Sequence, residues 1–355
     1  MGLKILHTAD WHLDSPLGSL EEGLRESMAS YLRQLPERVA DLCIREGCDL
    51  ILLAGDIFDG TPTRQTVDAV KRALQRCGVP VFLSPGNHDF CGPDSPWVEP
   101  WPENVHIFAG DLTFADVPEL DCRVYGAGYR SMDCPGLLED FHAEGDARWC
   151  VAVLHADPMT LSSPCCPVTA AQVRESGLDY LALGHIHRSG SFRAGNTLCA
   201  WPGCPMGRGW DETGEKGVFL AELDETARIR FVPLGLPEFV QLTVPVTRDA
   251  GETLEGVLPP VESGNLYRVT LTGIGRVDVQ ALQKRFSHVA YLELRDETEE
   301  ESDPWEYAGD DSLRGLYFHL LQEQLEDADP EQARIIRKAA EISRRLLDGR
   351  EVTLP

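Results

Sequence analysis

Apolar positions set the order of elements along this chain. Residues 3–9 (Leu-Lys-Ile-Leu-His-Thr-Ala) read as a strand. Over residues 21–46, Leu24, Met28, Tyr31, Leu32, Leu35, Val39, Leu42 and Cys43 recur at helical spacing. Residues 49–54 (Asp-Leu-Ile-Leu-Leu-Ala) form a nearly unbroken apolar run, which suits a strand buried on both faces. A second helix is predicted over 65–77, ended by Gly78, and a further strand over 79–83. This strand–helix–strand–helix–strand order implies a parallel sheet covered by helices. Strand-like runs follow at 105–108, 123–125, 149–154, 180–183 and 217–223. The expected architecture is α/β, a sandwich of two central sheets flanked by helices, over residues 1–235.

The texture changes near Leu236. Strand patterns at 239–246, 266–271 and 289–294, with a helical pattern at 277–286, predict a small α+β domain over 236–297. An acidic stretch from Asp296 to Asp303 reads as a solvated linker. Residues 298–355 then form an acidic linker and a helical tail. In the tail Leu313, Leu316, Tyr317, Leu320 and Leu321 share one helical face. A second helix opens at Asp329-Pro330, with Asp as cap and Pro in the first turn.

Composition narrows the class. No run of 18 apolar residues is present, so no membrane span is expected. The start of the chain lacks a basic segment followed by an apolar stretch, which argues against secretion and for a cytoplasmic protein. The 11 cysteines are scattered, with no Cys-x-x-Cys, and read as reduced, mostly buried thiols. The net charge of −26 repels phosphate at long range. Salt screens that field within roughly 8–10 Å. Attraction to a nucleic acid must therefore be local or come from a partner.

Five short segments carry the candidate chemistry. They are Asp10-Trp-His12, Gly55-Asp56-Ile-Phe-Asp59, Gly86-Asn87-His88-Asp89, His155, and Gly184-His185-Ile-His187. Asp10 and His12 are two residues apart after a strand, as are His185 and His187 after another. In extended backbone both members of each pair face one ion. Asp56 follows a buried strand at its carboxyl end, where open α/β sheets place their sites. Asn87 adds a neutral oxygen and His155 a nitrogen. Such a nitrogen and oxygen set without thiolate suits two divalent cations, Mn²⁺ first, with Mg²⁺, Fe²⁺ or Zn²⁺ as alternatives. A pair roughly 3.5–4 Å apart holds a bridging hydroxide and clamps a phosphate. His88, beside Asn87, is the expected catalytic group that meets the phosphate or protonates the leaving oxygen. Asp59 is expected to hold His88, Asp14 and Asp89 to bind loop backbone, and His7 to be structural. Trp97 and Trp101 lie where a base would stack, and Arg208 where it would contact a phosphate.

These residues resemble the calcineurin-type metallophosphoesterases. More narrowly, Leu-His-Thr-Ala-Asp10-Trp-His12-Leu-Asp-Ser-Pro and the later Trp-Pro-Gly…Glu212-Thr-Gly-Glu-Lys-Gly217 are similar to SbcD-like DNA-repair exonucleases, nearest the YhaO branch. The resemblance covers residues 1 to about 235. It implies that Asp10, His12, Asp56 and His187 hold one Mn²⁺, that Asp56, Asn87, His155 and His185 hold the other, and that His88 is catalytic. It further implies DNA as substrate, a small cap domain, a possible homodimer, and a tail that docks on an SbcC-like coiled-coil ATPase. Some branches carry His where this chain has Asp59. A small-molecule phosphodiesterase or phosphatase on the same scaffold is the alternative.

Overall fold

The computed structural model describes residues 2–246, 249–261, 263–299, 303 and 305–349. Most of the acidic stretch from Asp296 is included, but residues 300–302 lie outside the described residues. The chain forms two compact units. One comprises Met1–Leu242, Pro259–Val269 and Phe286–Glu293; the other comprises Thr243–Leu258, Thr270–Arg285 and Leu294–Pro355.

The first unit is built on two six-stranded sheets. Four parallel strands, Leu3–Thr8 (β1), Leu50–Leu53 (β2), Val81–Leu83 (β3) and Val105–Ile107 (β4), start the first sheet. The second sheet follows with Thr113–Val117 (β5), Cys122–Gly126 (β6), Trp149–His155 (β7), Tyr180–Gly184 (β8), Gly190–Ala194 (β9) and Thr197–Trp201 (β10), in the order β5-β6-β7-β8-β10-β9. The chain then returns with Gly217–Leu223 (β11) and Ala227–Pro233 (β12), which complete the first sheet as β12-β11-β1-β2-β3-β4. The expected two-sheet α/β class is thus the observed one. Strands β5, β9, β10 and β12 carried no clear signal in the sequence. Three of them, β5, β9 and β12, are only partly buried.

Strand pleat divides the core into layers. Ile51 and Leu53 of β2 face a cluster with Met28, Leu35 and Val39 of helix α1 (Glu22–Glu46) and with Val67, Val70 and Leu74 of helix α2 (Arg64–Cys77). Leu50 and Leu52 face the other way, into a second cluster with Val124, Val151, Val153 and Ala182 of the opposite sheet. The far side of that sheet packs Ala152, Leu154 and Leu181 with Val173 of a short helix, Ala170–Glu175 (α3). The 21–46 helix therefore covers a sheet. It ends at Gly47, and Thr63 caps α2 by accepting the N–H of Thr66.

Three later strands, Phe239–Val246 (β13), Leu266–Gly273 (β14) and Tyr291–Asp296 (β15), form a sheet in that order, and each passes from one unit into the other. The second unit carries helices Ala250–Glu255 (α4), Val279–Arg285 (α5), Leu313–Glu326 (α6) and Pro330–Leu347 (α7). Asp329 caps α7 by accepting N–H groups of Glu331 and Gln332. Among the described residues no helix is long and apolar enough to cross a membrane. All 11 cysteines are free, nine of them buried.

His7 ties the sheets together. Its Nδ1 lies 2.7 Å from the Tyr180 hydroxyl and its Nε2 3.0 Å from the Leu183 carbonyl. Burial pushes the imidazole down to about 3, with the Leu183 carbonyl opposing. A histidine with a folded value below the unfolded 6.5 contributes stability above pH 6.5 that is lost as pH falls toward 3. Unfolding free energies across this window, compared with His7→Gln, are expected to show the wild type losing up to a few kcal/mol more than the variant on acidification.

Candidate metal centre

The candidate residues meet at the carboxyl ends of β1, β2, β3, β7 and β8. They do not meet by the extended pairing that their spacing predicts. Asp10 (φ 53°), His12 (φ 45°), Asp56 (φ 51°) and His185 (φ 92°) all lie in the sparsely populated left-handed region. The loops curl the carboxylates inward at a local conformational cost that packing must offset. Backbone bonds set the curl: Asp10 N–H donates to Gly55 O at 3.0 Å, and His12 N–H to Asp56 O at 2.9 Å. Two glycines make room. A Cβ on Gly55 would stand 2.5 Å from His155 Nδ1, and one on Gly86 would stand 2.2 Å from Asp56 Oδ1.

Among the described residues three donor groups form, each with ligand atoms within 4.8 Å of one another. They are Asp10, His12 and His187; His12, Asp56 and His88; and Asp10, Asp56 and His155. Asp10 and Asp56 are buried and shared between groups. Asn87 joins through Oδ1, 2.9 Å from His155 Nε2. His185 joins none of these groups; its backbone N–H donates to Asp10 at 3.0 Å, while its ring lies edge-on to His155.

The donor chemistry fits cations. His155 Nδ1 donates to Ala54 O at 2.9 Å, which turns Nε2 inward. That nitrogen faces Asn87 Oδ1 at 2.9 Å and Asp56 Oδ2 at 3.3 Å. One nitrogen and two oxygens thus converge on one point, where a proton or a cation must sit between them. Burial disfavours a charged imidazole, yet the Asp56 carboxylate outweighs it and lifts His155 to about 9. Burial also raises Asp56, but His155 and His12 hold it below the usual carboxylate range. On the other side His12 Nε2 and His187 Nε2 face each other at 3.2 Å, and the buried His12 Nδ1 has no hydrogen-bond partner among the described residues.

His88 stands at the open edge of this cluster. Its Nδ1 donates to Asp59 at 2.9 Å and its backbone N–H to Asp56 at 2.9 Å. The Asp59 hydrogen bond raises the His88 pKa above its ordinary value, with burial opposing. The same bond holds Asp59 at about 2. Asp89 binds loop backbone, accepting N–H groups of Gly86 and Ile57 at 2.8 and 2.7 Å. Asp14 accepts from Thr63 N–H and the Thr66 hydroxyl.

Two further readings change. Trp97 is a core residue and does not present itself for stacking. It is 5% exposed, packs on Phe58 and Trp101, and donates its indole N–H to Asp89 O. Glu212, which the sequence marked only as part of the Glu212–Gly217 segment and gave no role, belongs to the site. It accepts the Nδ1–H of His187 at 2.6 Å and binds Arg208 at 2.7 Å. Burial raises its carboxyl, but His187 and Arg208 override that and hold it ionised. This fixes the His187 tautomer with Nε2 turned to the cluster. Arg208 itself reaches the rim, 4.0 Å from Asp59 Oδ2.

The calcineurin-like phosphoesterase profile matches residues 3–189. The chain belongs to this family. It is similar to YhaO of Bacillus subtilis (strain 168), an uncharacterized metallophosphoesterase, at 33% identity over 245 residues, covering 62% of this chain and 57% of that protein. The chain thus spans little more than half the length of that curated relative. Among solved structures it is similar to a dimetal phosphatase from Danio rerio, at 14% identity and a TM-score of 0.42, covering 65% of this chain and 96% of that one. It is likewise similar to TT1561 of Thermus thermophilus, at 14% identity and a TM-score of 0.39, covering 65% of this chain and 99% of that one.

Removing the Glu212 charge tests the tautomer argument without reference to activity. Glu212→Gln is expected to weaken Mn²⁺ binding about 10–100-fold in calorimetric titration. Unchanged affinity would show that His187 needs no such support.

Proposed function

We propose that this chain is a metal-dependent phosphodiesterase acting on DNA, as the nuclease subunit of a complex with a coiled-coil ATPase. The observation that carries the hydrolytic reading is the His88–Asp59 pair at the open edge of a convergent donor cluster. Asp10, His12, Asp56 and His187 would hold one cation; Asp56, Asn87 and His155 would hold the other, with His185 at their margin. When bound, the cations supply Lewis acidity toward water and the phosphoryl oxygens.

The chain's own residues supply the remainder. Asp59 takes the Nδ1–H of His88 and leaves Nε2 free. It also raises the ring's affinity for a proton, so His88 serves as the acid for the departing oxygen. Asp56 Oδ1 holds the His88 backbone and so links the position of the acid to the cluster. Arg208, anchored by Glu212, offers a guanidinium at the rim to a phosphate oxygen.

DNA as substrate is supported by the SbcD-like segments around Asp10 and Glu212. A partner is supported by the tail. Leu313, Leu316, Tyr317, Leu320, Leu346 and Leu347 of α6 and α7 are exposed around an apolar groove of about 740 Å³. The charge of −26 also calls for a partner to bring DNA to the site. The same charge favours the second reading, a small phosphoester as substrate, which needs no extended basic surface.

End-labelled linear DNA and bis-p-nitrophenyl phosphate, each with metal-stripped protein plus Mn²⁺, Mg²⁺ or Zn²⁺, separate the readings. Mn²⁺-dependent shortening of DNA is expected, falling about 10²–10⁴-fold in His88→Ala. Turnover of the small ester with DNA left intact, with and without an ATPase partner, would select the second reading. A wild-type rate in His88→Ala would remove His88 from the reaction.

A further inference from the structure

A cavity of about 280 Å³ opens directly beside His88. Its walls include Thr61, His88, Phe90, Gly92, Ser95 and Pro96. His88 is shared with the donor cluster, whose other members lie outside this lining, and the cavity belongs to the loop that follows the Asn87-His88 segment. We propose that it is the leaving-group subsite and that it receives a single nucleoside. The assignment rests on the hydrolytic reading of His88 given above.

Three features select this ligand. The first is position. As the P–O bond breaks and a water oxygen bonds to phosphorus, the departing alcohol takes its proton from His88 and the water's surplus proton passes to solvent. The group that departs must therefore lie on the His88 side. The second is charge. Among the described residues the lining carries no Lys or Arg, and the exposed Asp94 at its edge repels a second phosphate and accepts hydroxyl or amine donors. The third is surface. Phe90 and two prolines, Pro93 and Pro96, give flat apolar walls suited to a base or sugar face. The volume of about 280 Å³ has room for one nucleoside.

Gly92 offers a clean block. Its backbone is not left-handed, and a Cβ there meets nothing nearer than Phe90 at 3.8 Å. The full chain, loaded with Mn²⁺, is titrated calorimetrically with adenosine and separately with inorganic phosphate. The same titrations follow on Gly92→Trp, with melting temperatures to confirm folding. Adenosine is expected to saturate the wild type and to bind at least tenfold more weakly to Gly92→Trp. Phosphate affinity is expected to stay equal in both. Equal adenosine affinity in wild type and Gly92→Trp would overturn the proposal. So would an absence of adenosine binding in protein that hydrolyses bis-p-nitrophenyl phosphate. If adenosine follows the expected pattern but no phosphoester is hydrolysed, the nucleoside site stands and the hydrolytic reading of His88 falls.

Discussion

The structure turns on the Asp56 carboxylate, buried where the strand ends of two sheets meet. One oxygen binds the His88 backbone N–H and the other faces His12 and His155. A buried carboxylate is costly unless positive charge compensates it. Here the partners come from both sheets: His12 follows β1, and His155, whose imidazole is raised toward the charged form, closes β7. Sheet packing and site chemistry are therefore one constraint. The apolar layer of Leu50, Leu52, Val151 and Val153 brings the strand ends together, and the acceptors that converge there call for cations.

The strongest signals in the sequence were those with a single physical cause. The run over residues 49–54 reads as a buried strand because both of its faces meet apolar layers. The 21–46 helix is legible because one stripe of it is buried. Strands β9 and β12 were not, because most of their side chains are half-buried or exposed and leave no continuous apolar run. The ligand residues were legible as a set, but the reason given for two of the pairs was wrong. Asp10, His12 and His185 come together through left-handed turns, which residue spacing alone does not reveal. Trp97 illustrates the opposite error. An aromatic beside a phosphate-binding loop invites stacking, yet its indole N–H finds Asp89 O and the ring belongs to the core. The role of Glu212 was not legible, although its segment was, because it depends on a contact across 25 residues.

Charge orders the molecule at two ranges. At short range, Arg208 and the histidines neutralise Asp59, Glu212 and Asp56, and the site becomes a basin for cations. At long range, the charge of −26 opposes any polyanion. The two meet at the rim, where Arg208 lies 4.0 Å from Asp59.

The central claim is that Asp56 joins two cations into one centre. Electron paramagnetic resonance of metal-stripped protein titrated with Mn²⁺ tests it directly. The account predicts two ions per chain at saturation with an exchange-coupled signal, and loss of the coupling in Asp56→Ala. Binding of a single ion, or of two ions with no coupling, would contradict it.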